Sequence, residues 1–243
     1  MAKFGKWIGA GLGAFAFGPI GAIIGFIAGS AVDAQKEGVK TTYRTTGQRP
    51  TTGGYVTSLL VLAAAIMKAD GKAMKSELEF VRAFFTRNFG KESANEAIAL
   101  LRDILKQNIP VNDVCWQIQG NMDYSSRLQL MHFLFGIAQA DGEFHEQEVK
   151  LINHIGINLG INHDDYISIQ SMFIKNIDSA YKILEITSDA SNEEVKKAYR
   201  RMAMKYHPDK VSYLGEEFQQ AAKDKFQKVN KAYDEIKKKR KIA

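Results

Sequence analysis

Three consecutive residues near the C-terminus of this 243-residue chain, His207, Pro208 and Asp209, are of types that favour an exposed polar site. An imidazole and a carboxylate can donate and accept hydrogen bonds, and the proline between them fixes its own φ and stiffens the loop. The sequence supports no nucleophile with a partner base and no phosphate-binding glycine loop. The tripeptide therefore predicts a polar docking tip, and we do not expect this chain to be an enzyme.

Two amphipathic stretches flank this tip. The first begins at Ser191, where Glu194 three residues later completes a capping box, and the second ends near the C-terminus. Apolar residues recur at helical spacing in both, so each stretch has one face to bury. This pattern predicts two helices packed antiparallel, with the tip between them. The apolar faces consist of Val195, Tyr199, Met202 and Tyr206 in the first helix and Phe226, Val229, Tyr233 and Ile236 in the second.

The first of these helices also carries a basic face that leads to the tip. Its members recur at four-residue intervals, which predicts that they share the outward side of the helix. From residue 178 to the end there are 16 Lys and Arg against 11 Asp and Glu, so this part of the chain favours an acidic partner. An acidic protein groove and nucleic acid both meet that requirement. The basic face consists of Lys196, Lys197, Arg200, Arg201 and Lys205.

An uncharged, glycine-rich segment lies near the N-terminus. Residues 7–32 contain no charged side chain, and about 20 apolar residues are enough for a helix to cross the hydrocarbon core. The run is too long for a cleaved signal peptide. We therefore predict a membrane anchor over residues 1–34 and a flexible polar linker over residues 35–54. Flanking lysines and arginines slightly favour a cytoplasmic C-terminal side.

Glycines in this segment recur every four residues. Gly21, Gly25 and Gly29 would form a smooth face on one helix, where a second membrane helix can approach closely. One interpretation is a homodimer formed through this glycine face. The other is a loosely packed anchor, or a tight hairpin broken at Gly18-Pro19, and the sequence does not choose between them.

Residues 55–175 predict a bundle of six or seven helices, because apolar residues recur at three- and four-residue intervals in five long stretches. The tripeptide Ala-Asp-Gly occurs at 69–71 and again at 140–142, and a glutamate follows six residues after each copy. The two copies lie 71 residues apart, which predicts a duplicated helical hairpin.

The single cysteine, Cys115, lies in an apolar stretch and is expected to be a buried structural thiol.

Four carboxylates of this repeat could converge if the two halves pack about a pseudo-twofold axis. Oxygen ligands of this kind suit a hard divalent cation such as calcium or magnesium. The alternative is that the aspartates make the turns and the glutamates stabilise the N-terminus of the helix that follows. The spacing is not that of an EF-hand, so we favour the second interpretation and predict neither a metal nor another cofactor. The candidate ligands are Asp70, Glu77, Asp141 and Glu148.

Three blocks of sequence around the tip resemble the J domain of DnaJ-type co-chaperones: YKILEI, EEVKKAYRRMAMKYHPDK and FQKVNKAYDEI. The Gly/Phe-rich region and the CxxC zinc repeats of DnaJ itself do not occur in this sequence. The repeated Ala-Asp-Gly pattern with its glutamate resembles the TerB-like domain of tellurite resistance proteins. The order of anchor, TerB-like bundle and C-terminal J domain is similar to that of the membrane-anchored DjlA-like family.

This resemblance implies an all-α protein with a TerB-like bundle at 55–175 and a J domain, an antiparallel helical hairpin, at 176–243. It implies that His207, Pro208 and Asp209 contact a DnaK-type chaperone and promote its ATP hydrolysis. The basic face would steer the J domain to an acidic surface of that partner. The expected location is the bacterial inner membrane, with the soluble domains facing the cytoplasm.

Two alternatives remain open. In the first, the TerB-like part senses a metal or a stress signal and the J domain is an accessory output. In the second, the basic run at 237–241 binds nucleic acid or acidic lipid, because consecutive cations attract phosphate. A basic tail is often only a solubilising end, so we do not expect nucleic acid as the partner.

Overall fold

The computed structural model describes residues 18–33, 52–69, 75–174 and 179–240. Every regular element in these ranges is helical, which confirms the all-α prediction. The elements are α1 Pro19–Asp33, α2 Thr52–Met67, α3 Lys75–Leu105, α4 Val111–Asn121, α5 Tyr124–Ala138, α6 Glu146–Asn158, α7 His163–Ser171, α8 Ser179–Ile183, α9 Asn192–Lys205, a 3₁₀ segment Pro208–Leu214 and α10 Glu216–Arg240.

Helix α2 lies at the centre of the bundle. Its residues from Tyr55 to Met67 are all buried, as expected for a helix that is apolar on every side, and it packs against α3, α4, α5 and α6. The helix begins at Thr52, inside the predicted linker. The buried hydroxyls of Thr57 and Ser58 each donate to the carbonyl oxygen four residues earlier at 2.9 Å, so both are satisfied within the helix.

The duplicated hairpin predicted from the sequence is present in the fold. Helices α2 and α5 end at Met67 and Ala138, and the helices that follow begin at Lys75 and Glu146, so both pairs of boundaries lie 71 residues apart. The copies differ in their second helix. Helix α3 continues past Gly90, where φ of 83° breaks the regular helix, whereas α6 is a single short segment that ends at Asn158.

Helix α1 contains the second half of the predicted anchor. Ile20, Ile23 and Ile24 are buried where the helix meets α3 and α4, and the Ile20 N–H donates to Oε1 of Gln117 at 3.0 Å. Gly25 lies on the open side, where an added Cβ would meet no atom within 4 Å. None of the helices in the ranges given above is long and apolar enough to cross a membrane. Most of the anchor and the linker lies outside those ranges.

Helices α9 and α10 form the predicted antiparallel hairpin of the C-terminal domain. The Tyr199 and Tyr233 rings stack across it with their centroids 4.2 Å apart. The capping box is complete, since the Ser191 hydroxyl accepts the Glu194 N–H while the Glu194 carboxylate accepts the Ser191 N–H. The predicted apolar faces are turned inward. Val195, Met202, Tyr206, Val229 and Ile236 are buried, and Tyr199, Phe226 and Tyr233 are partly buried.

The C-terminal domain packs directly on the central bundle, which the sequence did not indicate. Phe218 of α10 is only 3% exposed, and its ring meets those of Tyr55 and Phe89 edge to face at 4.6 and 5.1 Å. Lys225 is fully buried, and its ammonium donates to the Leu128 carbonyl oxygen at 2.8 Å. The two domains therefore share one continuous hydrophobic core.

Replacement of Phe218 by alanine should weaken this contact between the domains. Truncation of a buried phenylalanine costs about 3–5 kcal/mol, so we expect the free energy of unfolding of the full chain to fall by that amount. Urea unfolding followed by circular dichroism measures it. Met204→Ala is the control, because this side chain is 66% exposed and its loss should cost less than about 0.5 kcal/mol. Equal effects of the two substitutions would contradict the described packing.

Candidate functional site

The His-Pro-Asp tip is an ordered turn. Pro208 opens the 3₁₀ segment at its first position, where the missing N–H costs no hydrogen bond. The Nδ1 atom of His207 accepts the Asp209 N–H at 3.3 Å, and the His207 carbonyl oxygen accepts the Lys210 N–H at 3.0 Å. Val211, one turn on, is buried and anchors the segment to the core.

Both polar side chains of the tip remain accessible. The side chain of His207 is 49% exposed and that of Asp209 is 80% exposed. In the tautomer that lets Nδ1 of His207 accept this hydrogen bond, the ring proton lies on Nε2. The ring is held edge to face against Phe226 at 5.8 Å. The tip therefore presents one hydrogen-bond donor and one carboxylate acceptor, as its sequence predicts.

A buried carboxylate of the central bundle holds the residues that precede the tip. Asp165 of α7 is 0% exposed. Its Oδ1 accepts hydrogen bonds from the Tyr206 hydroxyl at 2.9 Å and is paired with the Lys205 ammonium at 2.8 Å. Its Oδ2 accepts the Tyr124 hydroxyl at 2.6 Å. Two consecutive residues immediately before His207 are thus fixed to one carboxyl group in the other domain.

The charged groups of this cluster shift one another's pKa values. Burial alone would raise the pKa of Asp165, but the hydrogen bonds from Lys205 and Tyr124 outweigh burial and hold the pKa below its usual value. The pKa of Lys205 is raised despite burial, because its ammonium bonds to both Asp165 and Glu185. Burial raises the pKa of Glu185, and the charge of Asp165 adds to the effect. Asp165 and Lys205 are therefore both ionised at neutral pH.

A second tie lies on the other side of the tip. The hydroxyl of Tyr213, in the 3₁₀ segment, lies 2.5 Å from that of Ser126 at the start of α5. Ser126 is fixed in turn by Asp123, whose carboxylate accepts both the N–H and the hydroxyl of this serine at 3.0 Å. Contacts to the central bundle thus flank the tip in sequence, through Tyr206 before it and Tyr213 after it.

The basic face of α9 is smaller than the sequence predicts. Lys197 and Arg200 are exposed, and Lys196 is partly exposed. Arg201 stays at the surface but donates to the carbonyl oxygens of Leu184 and Glu185.

The prediction that Lys205 belongs to the outward face is wrong. Its side chain is 24% exposed and is paired with Asp165 and Glu185, both at 2.8 Å. Helical periodicity placed Lys205 with the other basic residues, but periodicity takes no account of a carboxylate contributed by a different domain.

Three family models match the chain in the predicted order. The model of the co-chaperone DjlA transmembrane domain matches residues 1–48, that of tellurite resistance protein TerB matches residues 57–171, and that of the DnaJ domain matches residues 179–243. The chain therefore carries, in the same order, the three domains named in DjlA-like J-domain proteins. Its J domain comprises α8, α9, the tip and α10, and its TerB domain comprises α2 to α7.

Curated relatives agree with this assignment. The co-chaperone protein DjlA of Coxiella burnetii is 26% identical over 266 residues, which cover 98% of each chain. DjlA of Vibrio parahaemolyticus is 26% identical over 71% of this chain and 73% of its own. The chaperone protein DnaJ of Campylobacter jejuni is 52% identical over 56 residues, 23% of this J-domain protein and 14% of DnaJ. No solved structure matches the chain.

Of the four repeated acidic residues, the three that the structure describes occupy a turn and two helix starts. Asp141 accepts the Glu143 N–H at 3.0 Å and lies 3.2 Å from Nε2 of His145. Glu77 and Glu148 are buried in the first turns of α3 and α6, where a carboxylate is favoured by the helix dipole. In the described part of the chain, no three His, Cys, Asp or Glu residues are grouped so as to hold a metal. Asp70, the fourth candidate, lies outside that part.

Sequence reasoning did not identify Asp165, Tyr124 or Ser126 as residues of this site. Asp165 stands in the first turn of α7 beside the exposed Asp164, a position where acidic residues usually stabilise the helix. Asp164 carries the same charge and lies in the same helical turn. Only the burial of Asp165 against the J domain separates the two roles.

Replacement of Asp165 by asparagine should destabilise the junction between the domains. It removes one partner of a buried ion pair, a change that costs about 3–5 kcal/mol. Because Lys205 keeps Glu185 as a partner, we expect a loss of about 3 kcal/mol at pH 7. Asp164→Asn, an exposed carboxylate in the same turn, is the matched control and should cost less than about 1 kcal/mol, the contribution of a charge to the helix dipole. Urea unfolding of the full chain measures both.

The stability difference between the wild type and Asp165→Asn should depend on pH. The pKa of Asp165 is lower in the folded chain than its usual 3.8, so the stability it provides is fully present above about pH 4–5 and is lost as the pH falls through the folded pKa. The difference between the wild type and Asp165→Asn should therefore shrink in acid. A difference that persists unchanged at pH 2–3 would contradict an ionised, stabilising Asp165.

Proposed function

We propose that this J-domain co-chaperone binds a DnaK-type chaperone through the His-Pro-Asp tip and stimulates its ATPase. The membership of the J-domain proteins supports this function, and one observation carries it. His207 and Asp209 are exposed side by side on an ordered turn, whereas the residues on either side of the tip are fixed to the TerB domain.

The chemistry of the tip suits recognition. Nε2–H of His207 is a donor and the Asp209 carboxylate is an acceptor, so the tip complements a surface that offers an acceptor beside a cationic or N–H donor. A turn that is already ordered loses little conformational entropy when it binds. ATP hydrolysis takes place on the partner, and the J-domain protein contributes binding energy that changes the partner's conformation.

The basic face supports an acidic docking surface on the partner. Lys197 and Arg200 are exposed, and no carboxylate lies within 4 Å of either among the residues that the structure describes, so both charges are available for long-range attraction. Exposed charges of this kind act chiefly on the association rate, and salt screens them. Lys205 has a different role, since its charge stabilises the junction between the domains.

The proposed setting is the bacterial inner membrane, with the TerB and J domains in the cytoplasm. The match of residues 1–48 to the DjlA transmembrane domain supports a membrane location. A cytoplasmic orientation follows from the proposed partner, because an ATP-driven chaperone requires ATP. Self-association through Gly21, Gly25 and Gly29 remains a prediction.

His207→Gln should abolish stimulation of the partner's ATPase, because glutamine places its amide at a different position from Nε2–H. We expect the steady-state ATPase rate of a DnaK-type chaperone to fall to its basal level when the full-chain variant is added. Circular dichroism should show an unchanged fold. Ser212→Ala is the matched control, since Ser212 is an exposed residue of the same 3₁₀ segment, and it should keep full stimulation. Full stimulation by the glutamine variant would refute the proposal.

The double variant Lys197→Gln/Arg200→Gln should slow association with the same partner. We expect a loss of about 3–10-fold in the association rate at low salt and little difference at high salt, because the Debye length shortens from about 30 Å at 0.01 M to about 3 Å at 1 M. Stopped-flow fluorescence measures it. Lys231→Gln/Lys238→Gln removes the same charge from exposed positions of α10 and should have a smaller effect. An unchanged rate in the first variant would exclude steering by this face.

A further inference from the structure

A cavity of about 320 Å³ lies between the TerB domain and the J domain. Helices α3 and α5 form one side, and α10 with the end of the 3₁₀ segment forms the other. The volume falls at the lower end of the range of small-molecule sites. The cavity is separate from the tip, and the function proposed above does not use it.

Aromatic rings line both sides of the cavity. Phe80, Phe84 and Phe133 line the TerB side, with the rings of Phe84 and Phe133 in edge-to-face contact at 4.6 Å. Phe218 lines the J-domain side. Ring faces and edges of this kind favour an apolar, flat occupant.

The cavity wall contains two cationic side chains, Arg87 and Lys228, and one carboxylate, Asp224. Arg87 is neutralised by Asp224, to which it donates two hydrogen bonds at 2.9 and 3.1 Å. The ammonium of Lys228 lies 3.7 Å from the centre of the Phe173 ring. Among the residues that the structure describes, this ammonium has no hydrogen-bond acceptor and no carboxylate within 4 Å. The partly buried ammonium of Lys228 therefore faces a largely apolar wall, with the Phe173 ring beside it and no ion pair of its own among the described residues.

Two further polar atoms in the wall have no partner. Nε2 of His132 and Oδ1 of Asn88 are buried, and neither makes a hydrogen bond within the described ranges. Burial, together with the charges of Lys225 and Lys228, keeps the pKa of His132 well below its usual value, so this imidazole is neutral. Unpaired buried polar atoms are rare in folded proteins. At this wall Nε2 of His132, in the tautomer that carries its proton there, can donate to an acidic ligand, whereas Oδ1 of Asn88 needs a donor such as water.

We propose that this cavity binds a small organic carboxylate with an apolar body the size of one aromatic ring. The carboxylate supplies the counter-charge and hydrogen-bond acceptors that Lys228 lacks, and the body lies among the phenylalanine rings. A divalent cation is disfavoured by the net positive charge of the wall. An uncharged apolar molecule fills the space but leaves the ammonium unpaired.

Occupancy of the cavity would bear on the J domain. Because both domains contribute walls, a ligand that binds only the docked arrangement stabilises it by mass action. The ligand therefore strengthens the same contact that holds the residues on either side of the tip. This consequence requires only the described geometry and is independent of which chaperone binds the tip.

The test uses 3-phenylpropanoate as the probe and 3-phenylpropan-1-ol as its uncharged analogue, with the full chain in detergent and isothermal titration calorimetry. We expect saturable binding of the carboxylate at one site, with Lys228→Gln lowering its affinity about tenfold and leaving the weaker binding of the alcohol unchanged. Lys223→Gln, an exposed lysine of the same helix, is the charge-matched control. Ala221→Trp fills the cavity and should remove binding of both compounds.

Titration against pH gives a second readout. Burial, opposed in part by the charge of Asp224, lowers the pKa of Lys228 to about 8. The other charged or titratable groups around it are Lys231, Lys225, His132 and Arg87. The probe, with a carboxyl pKa of about 4–5, is ionised above pH 6, so its affinity should fall as the pH rises through about 8, and Lys228→Gln should abolish this dependence.

Three outcomes would overturn the proposal. The first is the absence of saturable binding to the wild type. The second is an equal loss of affinity in Lys223→Gln and Lys228→Gln, which would indicate nonspecific attraction to a basic surface. The third is a pH dependence that survives in Lys228→Gln. None of these outcomes depends on ATPase stimulation, so the test stands apart from the proposed chaperone function.

Discussion

The buried carboxylate of Asp165 is the interaction on which the arrangement of this molecule depends. It accepts hydrogen bonds from Tyr124 in its own domain and is bound by Lys205 and Tyr206 of the J domain. A carboxylate without partners would be costly at that depth, and Lys205 and Tyr206 of the docked J domain supply the counter-charge and a hydrogen bond that make its burial tolerable. The position of the tip relative to the TerB domain is therefore coupled to the burial of one charge.

Docking of the two domains reduces the charge of the basic face and fixes the position of the tip. Lys205 is withdrawn from the basic face, which leaves Lys197 and Arg200 as exposed basic residues without an ion pair among the described residues, and Lys196 as a partly exposed one. In return, the residues on both sides of the tip are fixed while His207 and Asp209 stay exposed. The fixed tip loses less conformational entropy when it binds a partner. The smaller charge of the basic face slows the association with that partner.

The same docking buries the amino group of Lys225 and creates a cavity. Burial holds the pKa of Lys225 well below its usual value, although the charge of Asp165 opposes this effect. Its ammonium is satisfied by the Leu128 carbonyl oxygen. Lys228, one turn further along α10, faces the aromatic cavity without such an acceptor. Two lysines on one face of one helix thus differ in role because of what the TerB domain places opposite each of them.

Local patterns were sufficient for the elements and for the tip. Apolar periodicity gave the helices, Ser191 and Glu194 gave a helix start, the Ala-Asp-Gly repeat gave the duplicated hairpin, and His207 to Asp209 gave the exposed turn. All of these depend on residues close together in sequence, whose conformational preferences are fixed by backbone sterics and short-range hydrogen bonds. The start of α2 and the exposure of Lys205 were missed, because burial in the bundle and a distant carboxylate overrode the local signal.

By itself, the sequence determined that this protein is helical, that it contains a TerB and a J domain, and which residues form the tip. The tertiary structure decided how the J domain lies on the TerB domain. It also decided which of two adjacent aspartates is buried, which basic residues face a partner and where a cavity forms. The physical reason is that these features arise from pairs such as Asp165 with Tyr206 and Leu128 with Lys225, which lie 41 and 97 residues apart. No periodicity links such residues, and only the packed chain brings them within 3 Å.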